Sequence, residues 1–143
     1  MAQALRVALA GLGTVGGGVV KLLATNRALI ERRAGRAIEI VAVSARDRSR
    51  DRGVDLSAFE WVDDPVSLAR RDDIDVVVEL IGGSAGPAVA LARAAIDGGR
   101  ALVTANKAML AHHGLELAAA AEAAGIALKY EAAVAGGIPV IKG

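Results

Sequence analysis

Short β-branched and aliphatic runs alternate along this chain with longer Ala- and Leu-rich runs of helical period. Leu5–Ala10 reads as a strand, ended by Gly11-Leu12-Gly13. Val15, Val19, Val20, Leu22 and Leu23 then predict a helix over Thr14–Ala24, with a second helical piece over Arg27–Arg33 that stops near Gly35. Ile38–Val43 is a second strand, followed by a charged, solvated loop over Arg46–Val54. Asp64 and Pro65 have the order of an N-cap and a first helical residue, opening a short helix to about Arg70. Asp75–Ile81 is apolar on both faces, as a buried parallel strand is. Gly82–Pro87 is a glycine-rich turn into a helix that runs to Asp97 and is closed by Gly98-Gly99. Ala101–Thr104 is a strand, Lys107–Ala111 and Gly114–Ala124 are helical, and Ile126–Tyr130 is the last strand. This alternation predicts an α/β fold, a mostly parallel, doubly wound sheet with helices on both faces.

Composition narrows the function classes. The 143 residues suit one domain, read as 1–131 with 132–143 beginning a junction to a further one, and 54% hydrophobic residues supply its core. Lys plus Arg number 17 against 16 for Asp plus Glu, and that balance offers no basic face for nucleic acid. The charge run Arg46–Arg52 is too small to change this. With no cysteine, thiolate nucleophiles, disulfides and Cys-based zinc sites are excluded. Aromatic residues are 2% of the chain, so base-stacking platforms are not expected; Phe59 and Trp61 read as anchors for the 55–62 segment. No apolar run reaches the roughly 18 residues of a membrane span. The N-terminus lacks the pattern of a secretory signal, and the expected location is the cytoplasm. His112 and His113 are neighbours on a predicted helix, about 100° apart, and do not form a ligand pair.

Gly11-x-Gly13-x-x-Gly16 follows a strand and opens a helix, the setting of a Rossmann dinucleotide fingerprint. The first glycine permits the tight turn, the second lets backbone approach a pyrophosphate, and the third allows close helix–strand packing. Leu12, Thr14 and Val15 complete this loop, whose helix N-terminus offers free N–H groups to phosphate. The second strand lacks an acid at its tip to receive a ribose 2′-hydroxyl. Arg46 and Arg48 stand there instead and suit a 2′-phosphate, which leans the reading toward NADP over NAD. Asp47 in the same loop is the alternative acceptor. Gly82 and Gly83, and Lys107 in Thr104-Ala105-Asn106-Lys107, lie at the carboxyl edge of the sheet, where open α/β folds bind ligands.

Four segments occur in order: Gly11-Leu12-Gly13-Thr14-Val15-Gly16, Val77-Val78-Glu79-Leu80-Ile81-Gly82-Gly83, Val103-Thr104-Ala105-Asn106-Lys107-Ala108 and Tyr130-Glu131-Ala132-Ala133-Val134-Ala135-Gly136-Gly137-Ile138-Pro139. Together they resemble the amino-terminal, nucleotide-binding part of homoserine dehydrogenase over essentially the whole chain. The resemblance implies NAD(P)-dependent interconversion of L-homoserine and L-aspartate 4-semialdehyde, on the route to threonine, methionine and isoleucine. It places Lys107 beside the nicotinamide and the substrate. It also implies a sodium-like monovalent cation at Glu131, Val134, Gly136 and Ile138, held largely by backbone carbonyls; the structural alternative is a glycine-rich hinge. A homo-oligomer is expected for the whole protein, with a following domain that carries the proton-transferring lysine and the carboxylates for the amino acid. This chain is accordingly expected to bind cofactor without turning over homoserine. Two further readings stay open on the glycine motif alone, another reductase on the same fold and a non-catalytic nucleotide-sensing module.

Overall fold

The structure is a computed structural model and describes residues 2–135. The first strand, β1, is Leu5–Ala10, and two helices follow it, α1 (Thr14–Thr25) and α2 (Arg27–Ala34). Gly35 ends α2 in the left-handed conformation, at φ 71°. Then come β2 (Ile38–Ser44), β3 (Glu60–Trp61), α3 (Pro65–Leu68) and β4 (Val76–Glu79). The Asp64 carboxylate caps α3 by accepting from the Val66 N–H at 3.0 Å. The chain continues as α4 (Pro87–Asp97), β5 (Ala101–Thr104), α5 (Lys107–Ala124) and β6 (Leu128–Lys129), with a 3₁₀ turn over Glu131–Ala133.

All six strands are parallel, in the order β3-β2-β1-β4-β5-β6. Each face carries its own apolar cluster. Leu68, Ile74, Leu91, Leu102, Met109 and Leu117 fill the side under α3, α4 and α5. Leu9, Leu12, Val20 and Val43 fill the side under α1, with Phe59 and Trp61 packed against them. The sheet is therefore doubly wound. Its register brings four strand ends into one row: Ala10 lies opposite Ser44 and Glu79, and Glu79 opposite Thr104. The Gly11 N–H donates to the Ser44 carbonyl (2.8 Å) and the Leu80 N–H to the Ala10 carbonyl (2.7 Å), so the loops leave the sheet from fixed points.

The structure departs from the expected elements in several places; α3 ends at Leu68 rather than near Arg70, and β4 is Val76–Glu79 rather than Asp75–Ile81. The pattern predicts a break between Lys107–Ala111 and Gly114–Ala124, whereas α5 is continuous. Met109, Leu117 and Ala121 are buried on one side of it across Gly114, and this packing outweighs the roughly 1 kcal/mol that a mid-helix glycine costs. The β3 strand has two residues, too few to show an alternating pattern, and exists only because it pairs with the edge of β2. The last strand is Leu128–Lys129, shorter than Ile126–Tyr130.

At the opposite, amino-terminal edge of the sheet, Arg71 bridges Asp73 (2.8 Å) and Glu60 (2.7 Å), and Arg6 joins Asp73 at 3.0 Å. The hydrogen bond from Arg71, aided by Arg6, lowers the Asp73 carboxyl to about 2 from 3.8. A carboxyl lowered by folding stabilises the protein above its unfolded value and loses that contribution as pH falls through its folded one. Urea unfolding midpoints should therefore fall between about pH 4 and pH 2, and Asp73→Asn should flatten that acid limb while lowering the midpoint slightly at pH 7.

Candidate functional site

The loop from β1 to α1 is built around two glycines that have no room for a side chain. Gly11 has φ 97°, and a Cβ there would run into the Leu80 carbonyl and come within 2.8 Å of the Ile81 nitrogen. A Cβ on Gly16 would strike the Gly11 carbonyl. Gly13 differs: its φ is −75° and a Cβ would meet nothing within 4 Å. That empty side is where another molecule's atoms can approach the backbone. No side chain caps α1, which leaves its first-turn N–H groups and the positive end of its dipole to an anion.

A cleft of about 740 Å³ opens over this loop. Gly11, Leu12 and Gly13 line it from the β1–α1 loop, Ala45, Arg46 and Arg50 from the segment after β2, and Ile81, Gly82 and Pro87 from the β4–α4 turn. Among the described residues neither Arg46 nor Arg50 has an ion-pair partner, and both are exposed. Arg48 takes another course. Its guanidinium donates to the Trp61 carbonyl (3.0 Å), lies 5.3 Å from the Trp61 ring centre and 3.9 Å from Asp63, and does not line the cleft. Arg50 was not singled out from the sequence, since nothing in a charged run shows which arginine turns inward. Asp47 also lines the cleft, but its Oδ1 accepts from the Ser49 hydroxyl and N–H, which hold its carboxyl below the ordinary range. Arg52, likewise missed, ties the charged segment to the glycine loop: its Nε donates to the Leu12 carbonyl at 2.8 Å.

The remaining candidates are dispersed around this cleft. Thr14 and Val15 are exposed at the start of α1, outside the lining. Gly83 has φ 90° and also stands outside it. Lys107 is the first residue of α5 and is exposed. Asn106 caps that helix, accepting from the Met109 N–H at 3.0 Å, and its amide nitrogen donates to the Gly83 carbonyl at 2.8 Å. Glu79, fully buried at the end of β4, accepts from the N–H groups of Ile81 (2.8 Å) and Gly82 (3.0 Å) and from the Thr104 hydroxyl (2.6 Å). Glu131 and Val134 are exposed at the 3₁₀ turn, where the Val134 N–H donates to the Glu131 carbonyl at 3.4 Å. Gly136 and Ile138 lie outside the described residues. His113 Nε2 donates to the Ser84 carbonyl at 3.0 Å. No group of three metal-ligating side chains occurs among the described residues.

This geometry agrees with what the chain is similar to. Residues 11–131 match the sequence profile described as homoserine dehydrogenase, NAD binding domain. The chain belongs to the homoserine dehydrogenase family. A homoserine dehydrogenase of Pseudomonas aeruginosa is 48% identical over 137 residues, covering 96% of this chain and 31% of that protein. The crystal structure of a homoserine dehydrogenase from Thiobacillus denitrificans superposes with a TM-score of 0.89 at 44% identity, over 98% of this chain and 32% of that one. A hyperthermophilic archaeal homoserine dehydrogenase, solved in complex with NADPH, shares the fold at a TM-score of 0.75 and 18% identity, over 97% of this chain and 47% of that one. The chain thus spans about a third of the length of the curated relatives it matches. Family membership favours the NAD-binding domain of a homoserine dehydrogenase over the two alternatives that the glycine motif leaves open. Among the described residues no helix is long and apolar enough to cross a membrane.

Proposed function

We propose that this chain is the NAD(P)-binding part of a cytoplasmic, homo-oligomeric enzyme that interconverts L-homoserine and L-aspartate 4-semialdehyde. The observation that carries this reading is the open side of Gly13, beside an uncapped helix N-terminus and over a cleft lined by Arg46. A dinucleotide fits that donor set: backbone N–H groups for the pyrophosphate and guanidinium groups for a ribose phosphate. When bound, the nicotinamide supplies the hydride chemistry. The chain's own residues bind and orient. Gly11–Gly16 holds the pyrophosphate, Gly82 and Gly83 border the reacting end, and the Lys107 ammonium donates to a substrate oxygen on that side. Residues 1–131 form the cofactor domain and 132–143 start the junction to a substrate domain, where the contacts to the amino acid belong. Losing that positioning forfeits on the order of 7–11 kcal/mol of proximity advantage, so the 143-residue chain alone should bind NAD(P)H and form none from homoserine.

Arg46, which lines the cleft and has no ion-pair partner among the described residues, favours NADP, with Arg50 rather than Arg48 as the second guanidinium at the cleft. A charged hydrogen bond to phosphate contributes about 1.5–3 kcal/mol. Titration of Arg46→Ala by calorimetry should therefore show NADP binding weakened roughly ten- to hundredfold and NAD binding nearly unchanged. Equal losses for both would assign Arg46 a structural role.

Glu131 and Val134 are proposed to hold a sodium-like cation together with Gly136 and Ile138, since hard oxygen donors suit such an ion. Exchanging sodium for tetramethylammonium should lower the activity of the whole enzyme severalfold. Indifference to the exchange would leave the segment a hinge.

A further inference from the structure

Between the cleft and Lys107 runs a buried polar circuit to which the function above gives no role. Its centre is the Glu79 carboxyl, enclosed where β4 is otherwise Val76-Val77-Val78. Enclosing a carboxyl is costly unless every oxygen is partnered, and here both are. Oε1 accepts from the Ile81 and Gly82 N–H groups, and Oε2 accepts from the Thr104 hydroxyl. The Thr104 oxygen in turn accepts from the Asn106 N–H at 3.0 Å. The Asn106 side chain closes the loop on the Gly83 carbonyl. The side chains of Glu79, Thr104 and Asn106 thereby connect the turn after β4 to the start of α5, one residue before Lys107.

The partners decide what the circuit is for. The β4–β5 ladder is complete without it, with Val76 to Glu79 paired to Ala101 to Thr104. Asn106 caps α5 through its own Oδ1, again without Glu79. What Glu79 adds is attachment of loop backbone. Ile81 and Gly82 donate their N–H groups to Glu79, and Asn106 donates its own to the Thr104 oxygen that Glu79 holds. Gly82 and Gly83 sit at φ 83° and 90°, a conformation with many alternatives in a free glycine pair.

We propose that Glu79 and Thr104 form a clamp that sets the Gly82-Gly83 turn against the first turn of α5, making Glu79 a positioning residue for the reacting end of the site. The inference rests on the proposed reaction for what is positioned, and on the hydrogen bonds alone for the clamp. Ile81 and Gly82 line the cleft beside Gly11–Gly13 and Arg46. The groups proposed to hold the pyrophosphate and the ribose phosphate nevertheless make no hydrogen bond to Glu79 or Thr104, so a loosened clamp acts on the chemical step more than on cofactor affinity.

The test uses the whole enzyme with Glu79→Gln, Thr104→Val and Thr104→Ser. Gln keeps the shape but turns an N–H₂ toward Thr104; Val removes the hydroxyl at constant volume; Ser restores it. Amide exchange read by NMR should quicken about tenfold or more at Ile81, Gly82 and Asn106 in the Gln and Val variants, with Leu9 and Leu102 unchanged and the Ser variant like the parent. In the same two variants kcat with homoserine should fall roughly ten- to a hundredfold, while the cofactor Kd moves less than about threefold. The clamp is overturned if those three amides exchange as in the parent, or if protection is lost across the sheet, which marks a general folding role. Positioning is overturned if kcat is unchanged, or if Kd weakens in step with it. A parent enzyme that does not oxidise homoserine removes the proposed reaction, and the exchange comparison alone then decides the clamp.

Discussion

Replacing Gly13 by valine should abolish dinucleotide binding without unfolding the protein. The residue has φ −75°, open to any side chain, and its Cβ direction meets no atom within 4 Å. Among the described residues no atom lies within 4 Å of that Cβ position to resist the substitution. The isopropyl group instead occupies the space over the glycine loop, beside the first-turn N–H groups of α1. A pyrophosphate held away from those donors loses several charge-assisted hydrogen bonds of about 1.5–3 kcal/mol each, enough to weaken binding by more than about a hundredfold. The measurement is calorimetric titration with NADP and NAD alongside thermal melting. An unchanged Kd in a folded Gly13→Val protein would remove the glycine loop from the site.

The neighbouring glycine should behave in the opposite way. Gly11→Ala places a Cβ in the Leu80 carbonyl and near the Ile81 nitrogen, at a φ of 97° that L-residues rarely adopt. These are backbone atoms at the carboxyl end of β4, held there by the Leu80 N–H to Ala10 carbonyl bond. They cannot swing aside as a side chain would. The conformational penalty alone is about 1–2 kcal/mol, and separating the ends of β1 and β4 brings the total to about 4 kcal/mol or more. Thermal melting should show Tm lowered on the order of 10 °C, or insoluble protein. Gly13→Ala, measured in parallel, should melt close to the parent. A Gly11→Ala protein that melts like the parent would contradict the close approach of the two strand ends.

Both outcomes follow from one motif in which three glycines have different tasks. Their spacing assigns the turn to Gly11, the phosphate approach to Gly13 and the packing to Gly16; the folded chain adds which atoms enforce it, the Leu80 carbonyl against Gly11 and the Gly11 carbonyl against Gly16. The same division runs through the rest of the site. Lys107 and the turn Gly82-Gly83 were legible because strand ends and glycine turns mark the carboxyl edge of a parallel sheet. Arg50 and Arg52 were not, because in Arg46–Arg52 every second residue is an arginine and periodicity says nothing of which one reaches the cleft, the Trp61 ring or the Leu12 carbonyl.

By itself the sequence determined the local frame: β1 and α4 with their ends, the cap at Asp64, and the order of strands and helices that makes a doubly wound parallel sheet. Those features depend on contacts between residues close in the chain, or on an apolar pattern that only one face can satisfy. The tertiary structure decided the rest. It carried α5 through Gly114 by burying Met109 and Leu117, made a strand of Glu60-Trp61 by offering an edge, and turned Glu79 from one more strand residue into the hub of a circuit spanning residues 79 to 106. A buried carboxyl is defined by the donors that surround it, and those donors come from segments that meet only when the sheet is assembled.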